Sequence, residues 1–187
     1  MGKWGWVQPE YRKFEPFHTP FTALFLKVSH KPMELLLHAG SSRKVEQRWV
    51  TIPSPGGEMQ MLIYPVADER METESMKKYT DTPMWNAEHN AEMWRMYLEG
   101  KTCPEASPME MELPKQLPLT YMEVAELDCL HDEGVAYARR LEEAGGTVEL
   151  HEIKGVFHGY DVDPRTSVMQ ECLRNRSDAL RRGLWGE

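Results

Sequence analysis

Two side chains in this sequence are placed to do acid–base chemistry. Asp128 lies just after an extended run, Leu119–Ala125, on the stretch that leads into a helical pattern. His158 follows a second extended run, 147–153, within Lys154-Gly155-Val156-Phe157-His158-Gly159-Tyr160. The flanking glycines let the backbone turn sharply and present an imidazole at a rim. In open parallel sheets, the carboxyl ends of strands are where ligands and catalytic groups collect. A carboxylate and a histidine on adjacent loops of that kind form an acid–base pair. The aspartate accepts the Nδ1–H, fixes the tautomer and stabilises the imidazolium, while the free nitrogen handles a proton. The same residue types also serve structure: a loop histidine before glycine can simply face solvent, and Asp128 can equally be a turn or cap residue. A metal-dependent hydrolase built from His151, His158 and Asp161 or Asp163 is a further arrangement. It asks two histidines seven residues apart to converge across a strand end and a glycine loop, which metal geometry does not grant by spacing alone. Neither a metal nor a cofactor is expected.

The elements that must hold these residues are legible from residue 80 onward. Asn86 caps a helix running to about Leu98 and stopped at Gly100. The segment 103–118, with prolines at 104, 108, 114 and 118, reads as loop. Asp132 caps a helix that carries Val135, Ala138 and Leu141 on one face and stops at Gly145-Gly146. In the strand Thr147–Ile153, Val148, Leu150 and Glu152 share one side, and Asp163-Pro164 opens a final helix to about Leu184. Upstream, residues 45–64 read as extended around a turn at Pro53-Ser54-Pro55-Gly56-Gly57, and Pro65 ends the run. Residues 1–40 are rich in aromatics and proline and read as one or two short helices, the second bounded by Pro32 and Gly40. Strands alternating with helices predict an α/β fold, a mostly parallel sheet flanked by helices.

Composition narrows the function classes. The 187 residues fit one domain. With 22 basic against 30 acidic residues the net charge is −8, so the basic face of a nucleic-acid binder is not expected. No run approaches the ~20 apolar residues of a membrane span. The first ten residues lack the apolar core of a secretory signal, and a cytoplasmic location is expected. Cys103, Cys129 and Cys172 form no paired spacing and read as reduced, mostly buried thiols, and the 13 methionines as core filling.

Residues 118–134 carry the pattern E-x-D-x-L-x-D-E-G as Glu126, Asp128, Leu130 and Asp132-Glu133-Gly134, followed by Ala136-Tyr137-Ala138 and Leu141. Gly155-Val156-Phe157-His158-Gly159-Tyr160 carries G-x-x-H-G-[FY]. Upstream stand Leu62-Ile63-Tyr64-Pro65, Asp68, Ser75, Asp81-Thr82-Pro83-Met84-Trp85-Asn86, Trp94 and Tyr97-Leu98. Together these resemble the hormone-sensitive-lipase-like, acetyl-esterase branch of the α/β-hydrolases, from about residue 60 to 184. The resemblance implies a carboxylic ester hydrolase acting on small acyl esters, with Asp128 as the triad acid and His158 as the base.

Two parts of that family's machinery have no counterpart in the chain. The nucleophile sits in G-x-S-x-G, whose small residues allow a strained turn that exposes Oγ, and the oxyanion loop is of H-G-G-G type. No serine here has glycine two residues away on both sides. His38-Ala39-Gly40-Ser41-Ser42 lies before the first strand, and Gly56-Gly57 reads as a hairpin turn. Residues 45–58 resemble the family's opening hairpin, whereas 61–65 resemble a strand well after the nucleophile. An internal deletion near 58–62 follows, with an N-terminal cap-like segment over 1–44 and a truncated hydrolase domain over 45–187. The expected consequences are little or no ester turnover alone and strands 119–125 and 147–153 left without an inner neighbour. Self-association through open sheet edges is the other outcome, which makes a non-catalytic binding remnant the competing reading.

Overall fold

Leu119–Ala125 forms a strand over the residues expected of it and is the middle of a three-stranded parallel sheet. The computed structural model describes residues 7–16, 58–101 and 103–186. All belong to one of the chain's two compact units, and the second unit, Thr19–Pro53, lies outside the described residues. The helices expected before residue 40, the turn at 53–57, the boundary at 44/45 and the Ser41-Ser42 segment lie outside them too.

Strand β1 is Met59–Ile63, β2 is Leu119–Ala125 and β3 is Val148–Ile153, in the order β1-β2-β3. Met59 pairs with Leu119, and Thr120 with Val148. Helix α1 is Glu74–Lys78, α2 Ala87–Leu98, α3 His131–Glu143 and α4 Ser167–Trp185. Short 3-10 turns occupy Pro9–Phe14, Pro104–Ala106 and Tyr160–Val162.

The central strand is buried from Thr120 to Ala125, and its alternation divides the core. Met122 meets Tyr137, Ala138 and Leu141 of α3, with Leu62, Val148 and Leu150 completing that layer. Ala125 belongs to the second cluster, with Leu127, Val156, Phe157, Tyr160 and, from α4, Met169 and Cys172. Gly134 permits the first packing: a Cβ there would sit 2.6 Å from Val124 Cγ1. Its place in Asp132-Glu133-Gly134 is therefore steric, since α3 can lie on β2 only where its nearest residue has no side chain.

Several local expectations shift by a few residues, each for a visible reason. Asn86 does cap α2, accepting from the His89 N–H, but the left-handed residue that ends the helix is Glu99, with Gly100 also at positive φ. Asp132 does not cap its own helix, which begins at His131 without a side-chain cap; its Oδ2 instead accepts from the Ser75 N–H at 2.8 Å, in the first turn of α1. The last helix begins three residues later than Pro164, capped by Thr166, whose hydroxyl accepts from the Met169 N–H. Asp163 is engaged by Arg165 and Lys13 instead. Glu152 shares the α3-facing side with Val148 and Leu150 but is exposed, its Oε2 3.2 Å from His131 Nε2 at the start of α3. Strand β2 has a neighbour on both sides. Met59–Ile63 fills the place beside β2, and among the described residues the strands paired on one side only are β1 and β3.

Candidate active site

Parallel strands deliver their carboxyl ends to one rim, and the loops after β2 and β3 leave side by side. Glu126 N–H donates to the Ile153 carbonyl at 3.0 Å and Leu127 N–H to the Val156 carbonyl at 2.9 Å, so the two loops are laced by backbone bonds. Across that lacing Asp128 Oδ2 lies 2.8 Å from His158 Nδ1. Asp128 is buried, and its Oδ1 accepts from the Leu130 N–H at 3.1 Å, which orients the carboxyl group within its own turn. The His158 side chain keeps 19% of its surface exposed. With Nδ1–H given to the carboxylate, Nε2 is the nitrogen left to accept a proton. Gly159, at φ +74, supplies a left-handed residue directly after the histidine, where an ordinary side chain would be strained.

Around the imidazole the walls are aromatic. The Tyr64 ring centroid is 4.2 Å from that of His158, and Trp85 is 5.7 Å away. His158 also borders an apolar groove of about 340 Å³ lined by Val66, Trp85, Met93, Trp94, Tyr97 and Ala106. The groove wall comes from α2 and the segments on either side of it, which the spacing of Trp85, Trp94 and Tyr97 had marked only as part of a resemblance.

A buried ionic network underlies the histidine loop. Glu123, fully buried in the central strand, accepts from the Tyr121 hydroxyl at 2.5 Å, from Arg176 Nη2 at 2.6 Å and Nε at 3.1 Å, and from the Tyr160 hydroxyl. A charge taken from water is tolerated only when paired and hydrogen-bonded this fully. Burial and the Glu123 carboxylate push the Tyr160 phenol far above its ordinary range, so it stays a donor. Asp161 is the next link, accepting from the Tyr64 hydroxyl at 2.9 Å and lying 3.7 Å from Arg176 Nη1. The pair expected from the sequence does not include this network, whose one signal there is a glutamate in a strand that otherwise carries no charge.

The other acidic residues of the motif are structural. Glu126 Oε2 accepts from the Gly155 N–H at 2.7 Å, tying the acid loop to the histidine loop. Glu133 Oε1 accepts from the Ala67 N–H at 2.7 Å and the Asp68 N–H at 3.3 Å, holding the chain after β1. Its Oε2 is buried without a partner, and burial pushes the carboxyl up to about 8. The residues of the metal arrangement disperse: His151 Nε2 is 2.9 Å from Glu149, whereas His158 faces Asp128. Among the described residues no group of three His, Cys, Asp or Glu is placed to hold a metal ion. Cys129 and Cys172 are buried and all three cysteines are free.

A parallel sheet with its acid and histidine loops at one rim is the frame of an α/β-hydrolase. The sequence pattern of the family described as alpha/beta hydrolase fold matches residues 36–162, and the chain belongs to that family. It is 34% identical over 105 residues to an ethyl acetate hydrolase of Pseudomonas putida, covering 54% of this chain and 33% of that protein. It is 46% identical over 56 residues to neutral cholesterol ester hydrolase 1 of Rattus norvegicus, covering 29% of this chain and 14% of that one. Among solved structures, a bacterial heroin esterase aligns with a TM-score of 0.64 and 36% identity over 67% of this chain and 42% of its own. Esterase LipW of Mycobacterium marinum aligns with a TM-score of 0.66 and 34% identity over 68% and 41%. The lineage is that of carboxylic ester hydrolases, and the chain spans well under half the length of these relatives.

Proposed function

We propose that this chain is of carboxylic ester hydrolase lineage, for small acyl esters, and retains Asp128 as the triad acid and His158 as the base but lacks the nucleophile serine and the oxyanion loop. The observation that carries the reading is the 2.8 Å contact between a buried carboxylate and a half-buried imidazole at the sheet rim, beside an apolar groove. In ester hydrolysis His158 Nε2 takes the proton of the attacking hydroxyl and returns it to the departing alkoxide, while Asp128 stabilises the imidazolium between the two transfers. The likeness to an ethyl acetate hydrolase supports a small acyl group.

The attacking hydroxyl is where this chain departs from its relatives. With no G-x-S-x-G and no H-G-G-G in the sequence, we read an internal deletion near 58–62, within a shortened hydrolase domain, 45–187, that follows a cap-like segment, 1–44. Water is then the nucleophile left to His158, without oxyanion donors worth ~3–4 kcal/mol each. Alone, the chain turns esters over slowly or not at all.

A fluorophosphonate serine probe combined with p-nitrophenyl acetate turnover tests this. The expected result is no labelled serine and equal rates for wild type and His158→Ala, because no serine exists for the histidine to activate and water attack without oxyanion donors does not rise above the spontaneous rate. Labelling of a discrete serine, such as Ser41 or Ser42, together with His158-dependent turnover would restore a working esterase. A second reading, a non-catalytic remnant that binds itself or a relative, is favoured by the open side of β1 among the described residues.

A further inference from the structure

We propose that Tyr64 is a positioning residue for the His158 imidazole, held against that ring by Asp161. The inference rests on His158 being the base, and it concerns how the ring keeps its aim. A single hydrogen bond to Asp128 fixes one nitrogen and leaves rotation about the Nδ1···Oδ2 line. On a half-buried side chain, that rotation swings Nε2 away from any reacting atom. A packed ring face removes it.

Three independent features place Tyr64 in that role. Its backbone lies at φ +39, in the left-handed region that favours glycine, although it directly precedes Pro65, where extended backbone is the norm. Such an outlier persists only where the surroundings over-determine it, and it points to function. Here the Tyr64 N–H extends the ladder to the Glu123 carbonyl at 2.7 Å, and the hydroxyl donates to Asp161 Oδ1 at 2.9 Å. Second, the turn so made lays the ring 4.2 Å from the imidazole, centroid to centroid, tilted by 53°. The negative face of an aromatic ring also favours the imidazolium that forms when Nε2 takes a proton. Third, Asp161 is itself anchored, 3.7 Å from the Arg176 guanidinium that grips Glu123. The buried strand is thus connected through Arg176, Asp161 and Tyr64 to the imidazole ring, while Asp128 holds its Nδ1.

The test reads the imidazole itself in the full chain, by proton and nitrogen spectra of selectively labelled histidine, with His158 assigned through His158→Gln. In wild type we expect a sharp low-field Nδ1–H resonance and ring protons shifted upfield by Tyr64. Tyr64→Leu should reduce the upfield displacement to the part that Trp85 supplies and broaden the Nδ1–H resonance. Tyr64→Phe should restore the displacement, because the ring alone supplies it. A folded Tyr64→Leu with unaltered His158 resonances would overturn the proposal. Should Tyr64→Leu not fold, Asp161→Asn decides. Broadened His158 resonances in that variant support the clamp, and sharp, unshifted ones overturn it. None of these readouts needs ester turnover, so the His158 resonances decide the clamp, whereas serine labelling and His158-dependent turnover decide the proposed function.

Discussion

At the residue scale the molecule is governed by two buried carboxylates that are handled in opposite ways. Glu123 is paired with Arg176 and saturated with donors from Tyr121, Tyr160 and Arg176. Removing one partner strands a charge, so Arg176→Met should destabilise the fold by ~3–5 kcal/mol, read as a lower urea midpoint. The double variant Glu123→Leu with Arg176→Met should recover part of that loss, because it removes both charges. Glu133 has donors on one oxygen only, and burial raises its carboxyl from 4.5 to about 8. Between those values the unfolded chain has released the proton that the folded chain still holds. The unfolded state therefore binds fewer protons there, and stability falls as pH rises, levelling off above about 8. Glu133→Gln copies the protonated form. The difference in urea stability between Glu133→Gln and wild type should grow from pH 5 to 8.5; a constant difference would mean that Glu133 is ionised in the fold.

At the element scale, contacts between helices and the sheet decide more than the caps do. Gly134 lets α3 approach β2 to the point where a Cβ would meet Val124 Cγ1 at 2.6 Å. Gly134→Ala should cost ~1–3 kcal/mol by overpacking, and Val124→Ala in the same chain should relieve much of it, a non-additivity that thermal melts resolve. Asp132 joins two helices: its Oδ2 accepts from Ser75 N–H in α1 and its Oδ1 lies 2.8 Å from His131 Nδ1. Asp132→Ala should lower stability by ~1 kcal/mol, and amide exchange should accelerate at Ser75, in α1, rather than across α3. The N-terminal turn acts on α4 in the same way, Glu10 accepting from Ser167 N–H at 3.1 Å and Oγ at 2.9 Å.

At the scale of the whole molecule, the sheet has three strands among the described residues, and β1, like β3, is paired on one side only. An open strand is a template for another chain, so the protein is expected to self-associate. Sedimentation at increasing concentration should show a rising average mass, and a charge placed mid-strand, Met61→Lys, should shift it back toward monomer. A monodisperse monomer at all concentrations would remove the binding-remnant reading. Burial raises the thiols of Cys129, far above its ordinary range, and Cys172, to about 11. Brief alkylation of the folded chain should therefore modify Cys103 alone.

The amino-acid sequence by itself determined the alternation of strands and helices, the strand at Leu119–Ala125 to the residue, and the acid and histidine loops. Those features are local: apolar periodicity, glycine and proline placement, and a motif confined to a few residues. The pairing of Asp128 with His158 also followed from sequence, because successive parallel strands send their loops to one rim. Only the tertiary structure decided which helix Asp132 serves, since an aspartate at a helix start satisfies whichever N–H lies nearest in space. It likewise decided that Glu123, Arg176, Asp161 and Tyr64 form one connected support. Arg176 stands 53 residues from Glu123, and nothing in the spacing of these residues announces that a buried carboxylate gathers its donors from its own strand, a 3-10 turn and a helix. The left-handed turn at Tyr64 runs against the rule for a residue before proline. It exists because the ladder to Glu123, the bond to Asp161 and the packing on His158 together outweigh a local preference.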